Sequence, residues 1–160
     1  MASSQPLTDL ELKVRRTFAA PRERVFQAWT KPEALTAWFC HGKPAHTGKV
    51  DELDLRVGGK LEFQIHDQEK GLSYQFRGKY IEIQPPEKLT FTWSWDGHPE
   101  WGETVVSLEF HERGNSTELI LRHGAFPTME ARDGHNNGWK NCMESLEKFL
   151  AEQPTQGKKP

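Results

Sequence analysis

Trp139-Lys140-Asn141-Cys142-Met143-Glu144-Ser145-Leu146-Glu147-Lys148-Phe149-Leu150 is the stretch on which the fold turns. Trp139, Cys142, Met143, Leu146, Phe149 and Leu150 recur at three- and four-residue spacing, which makes one side of a helix apolar. His135 falls on the same stripe one turn earlier, and the pattern predicts a helix from Glu130 to Glu152. So long a stripe has to be covered. Working back along the chain, what precedes it is strand after strand, so the cover is a sheet.

Leu89-Thr90-Phe91-Thr92-Trp93-Ser94-Trp95 is the plainest of these strands, with large apolar residues at every second position. Thr104–His111 (Val106, Leu108, Phe110) and Thr117–His123 (Leu119, Leu121) follow it, separated by Gly114-Asn115. Before it come Gly48–Arg56, ending at Gly58-Gly59, then Leu61, Phe63 and Ile65, then Leu72, Tyr74, Phe76, Gly78 and Tyr80, ended by Pro85-Pro86. Short turns leave no room for parallel crossovers, so the sheet is expected to be an antiparallel meander. A first strand alternates over Leu10, Leu12, Val14 and Phe18, with Arg16 breaking its apolar phase.

Two short helices are expected between that strand and the rest. Pro21 suits a first helical turn, and Val25, Phe26 and Trp29 share a face. Thr30-Lys31-Pro32-Glu33 matches a capping box that would restart a second helix carrying Leu35 and Trp38. The fold class is therefore α+β: a coiled seven-stranded sheet wrapped round the long C-terminal helix, the two small helices plugging one end. One domain is expected over residues 10–152, with flexible termini at 1–9 and 153–160.

The chain has 160 residues and a formal net charge of -2, with basic and acidic residues interspersed. That balance argues against a nucleic-acid footprint. No apolar run approaches the roughly 20 residues of a membrane span. The first residues show neither the basic nor the apolar region of a secretory signal, so the cytoplasm is the expected compartment and Cys40 and Cys142 are expected to be reduced thiols. Seven histidines show no metal-ligand spacing, and neither a metal nor a cofactor is expected. Cys40 beside His41 would make a nucleophile only with a third, orienting residue, and none can be named. Gly58-Gly59 lacks the context of a phosphate cradle, and Gly78 inside a strand marks a bend or the close approach of another backbone.

Several stretches, taken in order, carry a family resemblance. They are Arg16-Thr17-Phe18-x-Ala20-Pro21, Val25-Phe26-x-Ala28-Trp29-Thr30-x-Pro32-Glu33-x-Leu35-x-x-Trp38 and Asp54-x-Arg56-x-Gly58-Gly59. Gly78-x-Tyr80-x-Glu82-Ile83-x-Pro85-Pro86-x-x-Leu89-x-Phe91-Thr92-Trp93, Thr117-x-Leu119 and Gly138-Trp139 complete them. Together they resemble the SRPBCC, or START-like, superfamily of helix-grip folds, and within it the homologues of the ATPase activator of the 90-kDa heat shock protein. The resemblance implies a cavity between the long helix and the curved sheet. Related branches bind lipids, hormones or polyketides there, and some catalyse cyclisation or dehydration. No fixed catalytic set carries over. In this family, arginines such as Arg16 and Arg56 resemble structural ion-pair partners, with Asp54 or Glu82.

The residues expected to line a ligand space are Trp38, Tyr74, Phe76, Trp93, Trp95, Trp101, Phe110, His123, His135, Trp139 and Met143. Each also has a plainer use. The rings can fill a core, and His123 and His135 can be satisfied interior histidines. The first reading is a binding module for a small apolar or aromatic ligand. The second is an enzyme of the cyclase or dehydratase sort using His135, His123 and Tyr74 as acid and base. The third is a co-chaperone-like module with a chaperone partner.

Overall fold

The computed structural model describes residues 10–39, 46–124 and 126–152; Cys40, His41 and both termini lie outside it. Among the described residues the elements run β1 (Leu12–Phe18), α1 (Arg22–Thr30), α2 (Pro32–Trp38), β2 (His46–Leu53), β3 (Lys60–Asp67), β4 (Leu72–Gln84), β5 (Lys88–Trp95), β6 (Thr104–Arg113), β7 (Ser116–Gly124) and α3 (Met129–Glu152). A single 3-10 turn, Pro99–Trp101, interrupts the β5–β6 connection. The seven strands form one antiparallel sheet in the order β1-β7-β6-β5-β4-β3-β2. It is a meander whose far edge is completed by the first strand, with Leu12 opposite His123 and Phe18 opposite Thr117.

α3 buries Ala131, Trp139, Cys142, Met143, Leu146 and Leu150. The expected stripe is thus the buried one, with Phe149 only packed against its margin. Thr128 begins this helix by accepting the Ala131 N–H at 3.1 Å, a cap that places the start one residue earlier than the apolar pattern does. Polar ties help fix α3 to the first strand and the two short helices. Arg16 pairs with Glu147, Arg24 donates to the Leu150 carbonyl at 3.0 Å, and Ser145 donates to the Trp38 carbonyl at 2.8 Å. Arg16 therefore sits in the inward phase of β1 because the helix supplies its partner. No helix among the described residues is long and apolar enough to cross a membrane.

Three local expectations are corrected. Thr30 does not cap α2: it remains the last residue of α1 and donates to the Phe26 carbonyl at 3.1 Å, while Lys31 stands at the N-cap with Pro32 behind it. Pro21 likewise is the N-cap of α1 and not its first helical residue. β2 stops at Leu53, because Asp54 to Gly59 close a turn in which the Arg56 N–H reaches the Asp54 carbonyl and the Gly59 N–H the Arg56 carbonyl, both at 2.8 Å. Arg56 pairs with Asp54 across that turn at 2.8 Å, one of the two partners expected for it.

At Gly78 strand β4 passes unusually close to β5. A side chain there would put its first carbon 2.0 Å from the Thr92 carbonyl oxygen, so only glycine permits the approach. The ladder between β4 and β5 is interrupted at this point, and the Lys79 N–H donates instead to the Thr92 hydroxyl at 2.9 Å.

Candidate functional site

The space between α3 and the concave face of the sheet is occupied by rings. Trp93 of β5 stacks on Phe76 of β4 with centroids 4.0 Å apart and planes within 11°. Trp139 of α3 lies 5.3 Å from Trp93 and 5.9 Å from Trp29 of α1. Trp38, the last residue of α2, meets Trp29 edge-on at 4.9 Å. Phe39 sits among them, touching rings contributed by α1, α2, β3, β4, β5 and α3. All of these side chains are buried.

Their polar edges are not equally served. The indole N–H of Trp38 donates to the Ala28 carbonyl at 2.8 Å. Those of Trp29 and Trp93 are buried with no partner, as is the Tyr80 hydroxyl. An unmet buried donor of this kind costs about 1–3 kcal/mol. The orphaned Tyr80 phenol has its pKa pushed upward by burial alone.

A second, polar group adjoins the first. The Trp139 indole N–H donates to His123 Nδ1 at 3.0 Å. An indole can only donate, so Nδ1 carries the lone pair and the proton is on Nε2. That Nε2–H faces the Thr104 hydroxyl at 2.7 Å, and Thr104 in turn donates to the Trp93 carbonyl at 3.3 Å. His135 is held in the opposite tautomer: the Trp95 indole N–H donates to Nε2 at 2.8 Å, and Nδ1–H reaches the Ala131 carbonyl at 2.7 Å. Burial first, and for His123 the neighbouring His135 second, hold both imidazoles neutral, His123 far more strongly. The two rings are 5.4 Å apart, nearly perpendicular. With both nitrogens of each ring engaged, neither is poised as it stands to take a proton from a bound molecule.

The expected lining residues therefore separate. Trp38, Phe76, Trp93 and Trp139 share one cluster; His123 joins it through the Trp139 hydrogen bond, and Trp95 and His135 through ring contacts with Trp93. Trp101 stacks on His98 at 4.0 Å on the 3-10 turn and presents its edge to His135 at 5.6 Å, so it stands at the rim. Phe110 packs edge-on against Phe26 of α1 at 5.3 Å instead. Met143 is buried in the core beneath α3, and Tyr74 is half-buried at its margin. Among the described residues no three His, Cys, Asp or Glu side chains could together hold a metal ion. Gly58 adopts a left-handed φ of 86° in the turn before β3, which explains the glycine there without a phosphate.

Phe39, Trp29 and Thr104 belong to the site and were not among the expected lining residues. Phe39 follows Leu35 by four residues and so continues the buried face of α2, a spacing that could have revealed it. Its backbone ends the helix there at φ -67°, ψ 127°, with its N–H still bonded to the Leu35 carbonyl. Thr104 had no signal beyond its place at the start of a strand. On the other side of α1 and α2 lies an open groove of about 540 Å³, lined among others by Arg24, Lys31, Glu33, Ala37 and Phe149.

Residues 19–151 match the family model described as activator of Hsp90 ATPase homolog 1-like protein. The chain belongs to that family. Solved structures place this family member in the helix-grip fold of the SRPBCC type. Protein CV1439 from Chromobacterium violaceum is similar with a TM-score of 0.82 at 23% identity, over 91% of this chain and 99% of that one. A Rhodobacter sphaeroides protein is 27% identical, with a TM-score of 0.73 over 91% and 95% of the two chains. CalU16 from Micromonospora echinospora is 26% identical, with a TM-score of 0.65 over 89% and 76%. No curated protein is significantly similar to the family member described here.

Proposed function

We propose that this helix-grip domain is a binding module for a small, largely aromatic molecule held between α3 and the concave face of the sheet. The observation that carries this reading is the pair of buried, unpartnered indole N–H groups on Trp29 and Trp93. A core selected only for packing gains nothing by burying two unmet donors. A guest with an apolar body and one acceptor oxygen would satisfy a donor and lose little water doing so. Trp38, Phe76, Trp139 and Met143 would enclose its body, and Trp95, Trp101 and His135 would form the rim. His123 would act through Trp139, fixing the indole plane from behind. Such a module would work in the cytoplasm as one domain over residues 10–152.

The enzymatic reading is the weaker one, because His123 and His135 each spend both nitrogens on protein partners. A chaperone partner has the family description behind it and no feature of this site. A pulldown with purified chaperone and an ATPase assay would reveal it.

The test is native mass spectrometry together with quenching of tryptophan emission by a panel of aromatic alcohols, ketones and acids. Saturable binding is expected, weakened for acceptor-bearing members by Trp93→Phe. No bound mass and no saturable quenching anywhere in the panel would overturn the proposal.

A further inference from the structure

We infer that Phe39 occupies the position a guest's ring takes, and that the guest is an aromatic carbonyl compound of about benzene size which displaces it. This rests on the binding reading above and names both the seat and the chemistry. Phe39 is surrounded by Phe63 at 4.8 Å, Trp38 at 5.3 Å, Phe76 and Trp139 at 5.8 Å, and Trp29 and Trp93 at 6.2 Å between centroids. Of the four indoles in that shell, Trp38 and Trp139 have protein acceptors. Trp29 and Trp93, the two that do not, both flank Phe39. A phenyl ring fills the seat by shape and offers no in-plane acceptor to either. A ring of the same size with a carbonyl oxygen would do both.

Phe39 also stands where the chain leaves α2, its N–H tied only to the Leu35 carbonyl at 2.9 Å. It is the first non-helical residue after α2, whereas the Trp38 carbonyl just before it is held by Ser145 of α3. Backbone rotation at one residue would swing the ring without unseating Trp38. The seat itself depends on Gly48 of β2, where a side chain's first carbon would lie 2.5 Å from the Phe63 ring and 2.8 Å from the Phe39 carbonyl oxygen.

The experiment compares acetophenone with ethylbenzene, which keeps the ring and the two-carbon side chain and lacks the acceptor oxygen. Calorimetry and native mass spectrometry are run on wild type, Phe39→Ala, Phe39→Leu and the triple variant Phe39→Ala, Trp29→Phe, Trp93→Phe. Removing the resident ring should tighten acetophenone about tenfold, since the competent state no longer has to be populated first. Phe39→Ala should prefer acetophenone by about fivefold, the scale of one net hydrogen bond, and the triple variant should lose that preference. If Phe39→Ala does not fold, as judged by circular dichroism, Phe39→Leu is read in its place with the same direction. Equal acetophenone affinity in wild type and the Phe39 variant overturns this inference while leaving the binding reading intact. Ethylbenzene binding as well as acetophenone also overturns it, as truncation would then have made only a hole. No binding by any variant overturns this inference, and the broader panel described above then decides the binding reading.

Discussion

Two buried histidines make the stability of this domain depend on pH. Trp139 and Trp95 each donate a hydrogen bond to an imidazole nitrogen, so protonating that nitrogen would set N–H against N–H inside the core. Burial above all, and for His123 the neighbouring His135 next, puts both folded pKa values below the ordinary one. Above about pH 6.5 the unfolded histidines are also neutral, and the shifts cost nothing. Below it the unfolded chain takes up protons that the folded chain refuses, so stability must fall as the pH falls. For fully buried His123 the slope approaches about 1.4 kcal/mol per pH unit. Urea unfolding at pH 7.5, 6 and 5 measures this, and a flat profile would contradict it. Glu100 and Glu109, whose pKa values are lowered chiefly by hydrogen bonds from His98 and His111, lose their share only at lower pH, outside this window. Trp139→Phe should cost about 1–3 kcal/mol by leaving buried His123 without its donor. Trp139→Ala should cost about 3–5 kcal/mol, the range for large core truncations. Thermal melts indistinguishable from wild type would show that Trp139 is not buried as described.

At the level of elements, spacing reveals faces and conceals partners. The period-two runs of β5, β6 and β7 and the stripe of α3 follow from residues alone, because burial on one side forces the alternation. Capping is another matter. Thr30 fits the box by sequence, but α1 runs on through it and its hydroxyl turns back to Phe26. Thr128, which does cap, sits behind Pro127 with no acidic residue three positions on. Thr128→Ala should cost about 1 kcal/mol and fray the turn that carries Ala131, the acceptor for His135. Gly78 illustrates the opposite case, where one residue is legible and its reason is not. A strand glycine signals a close approach, yet only the coordinates name Thr92 as what approaches. Gly78→Ala should destabilise by about 1–3 kcal/mol, the range for overpacking, because the obstacle is backbone and cannot rotate away. A melting temperature within a degree of wild type would show that the two strands part without penalty.

For the molecule as a whole, the helix-grip plan could be read from the order of strands and the final stripe. The interior could not, since eleven candidate lining residues give no hint of which donors end unpaired or that Phe39 fills their midst. If a guest does enter, its presence at a hundredfold excess over its dissociation constant should raise stability by about 2.7 kcal/mol, seen as a concentration-dependent melting temperature. A melt independent of concentration would mean the unfolded chain binds as well as the folded one. The pairing of the first strand with the last has a consequence for biogenesis. β1 meets β7 across about a hundred residues of sequence, from Leu12 opposite His123 to Phe18 opposite Thr117. During translation, at about 5–20 residues per second, its greasy side must wait on the order of 5–20 s for a neighbour to emerge. The nascent protein is therefore sticky for most of its synthesis, and closing so wide a loop makes the final zipping a late and slow event.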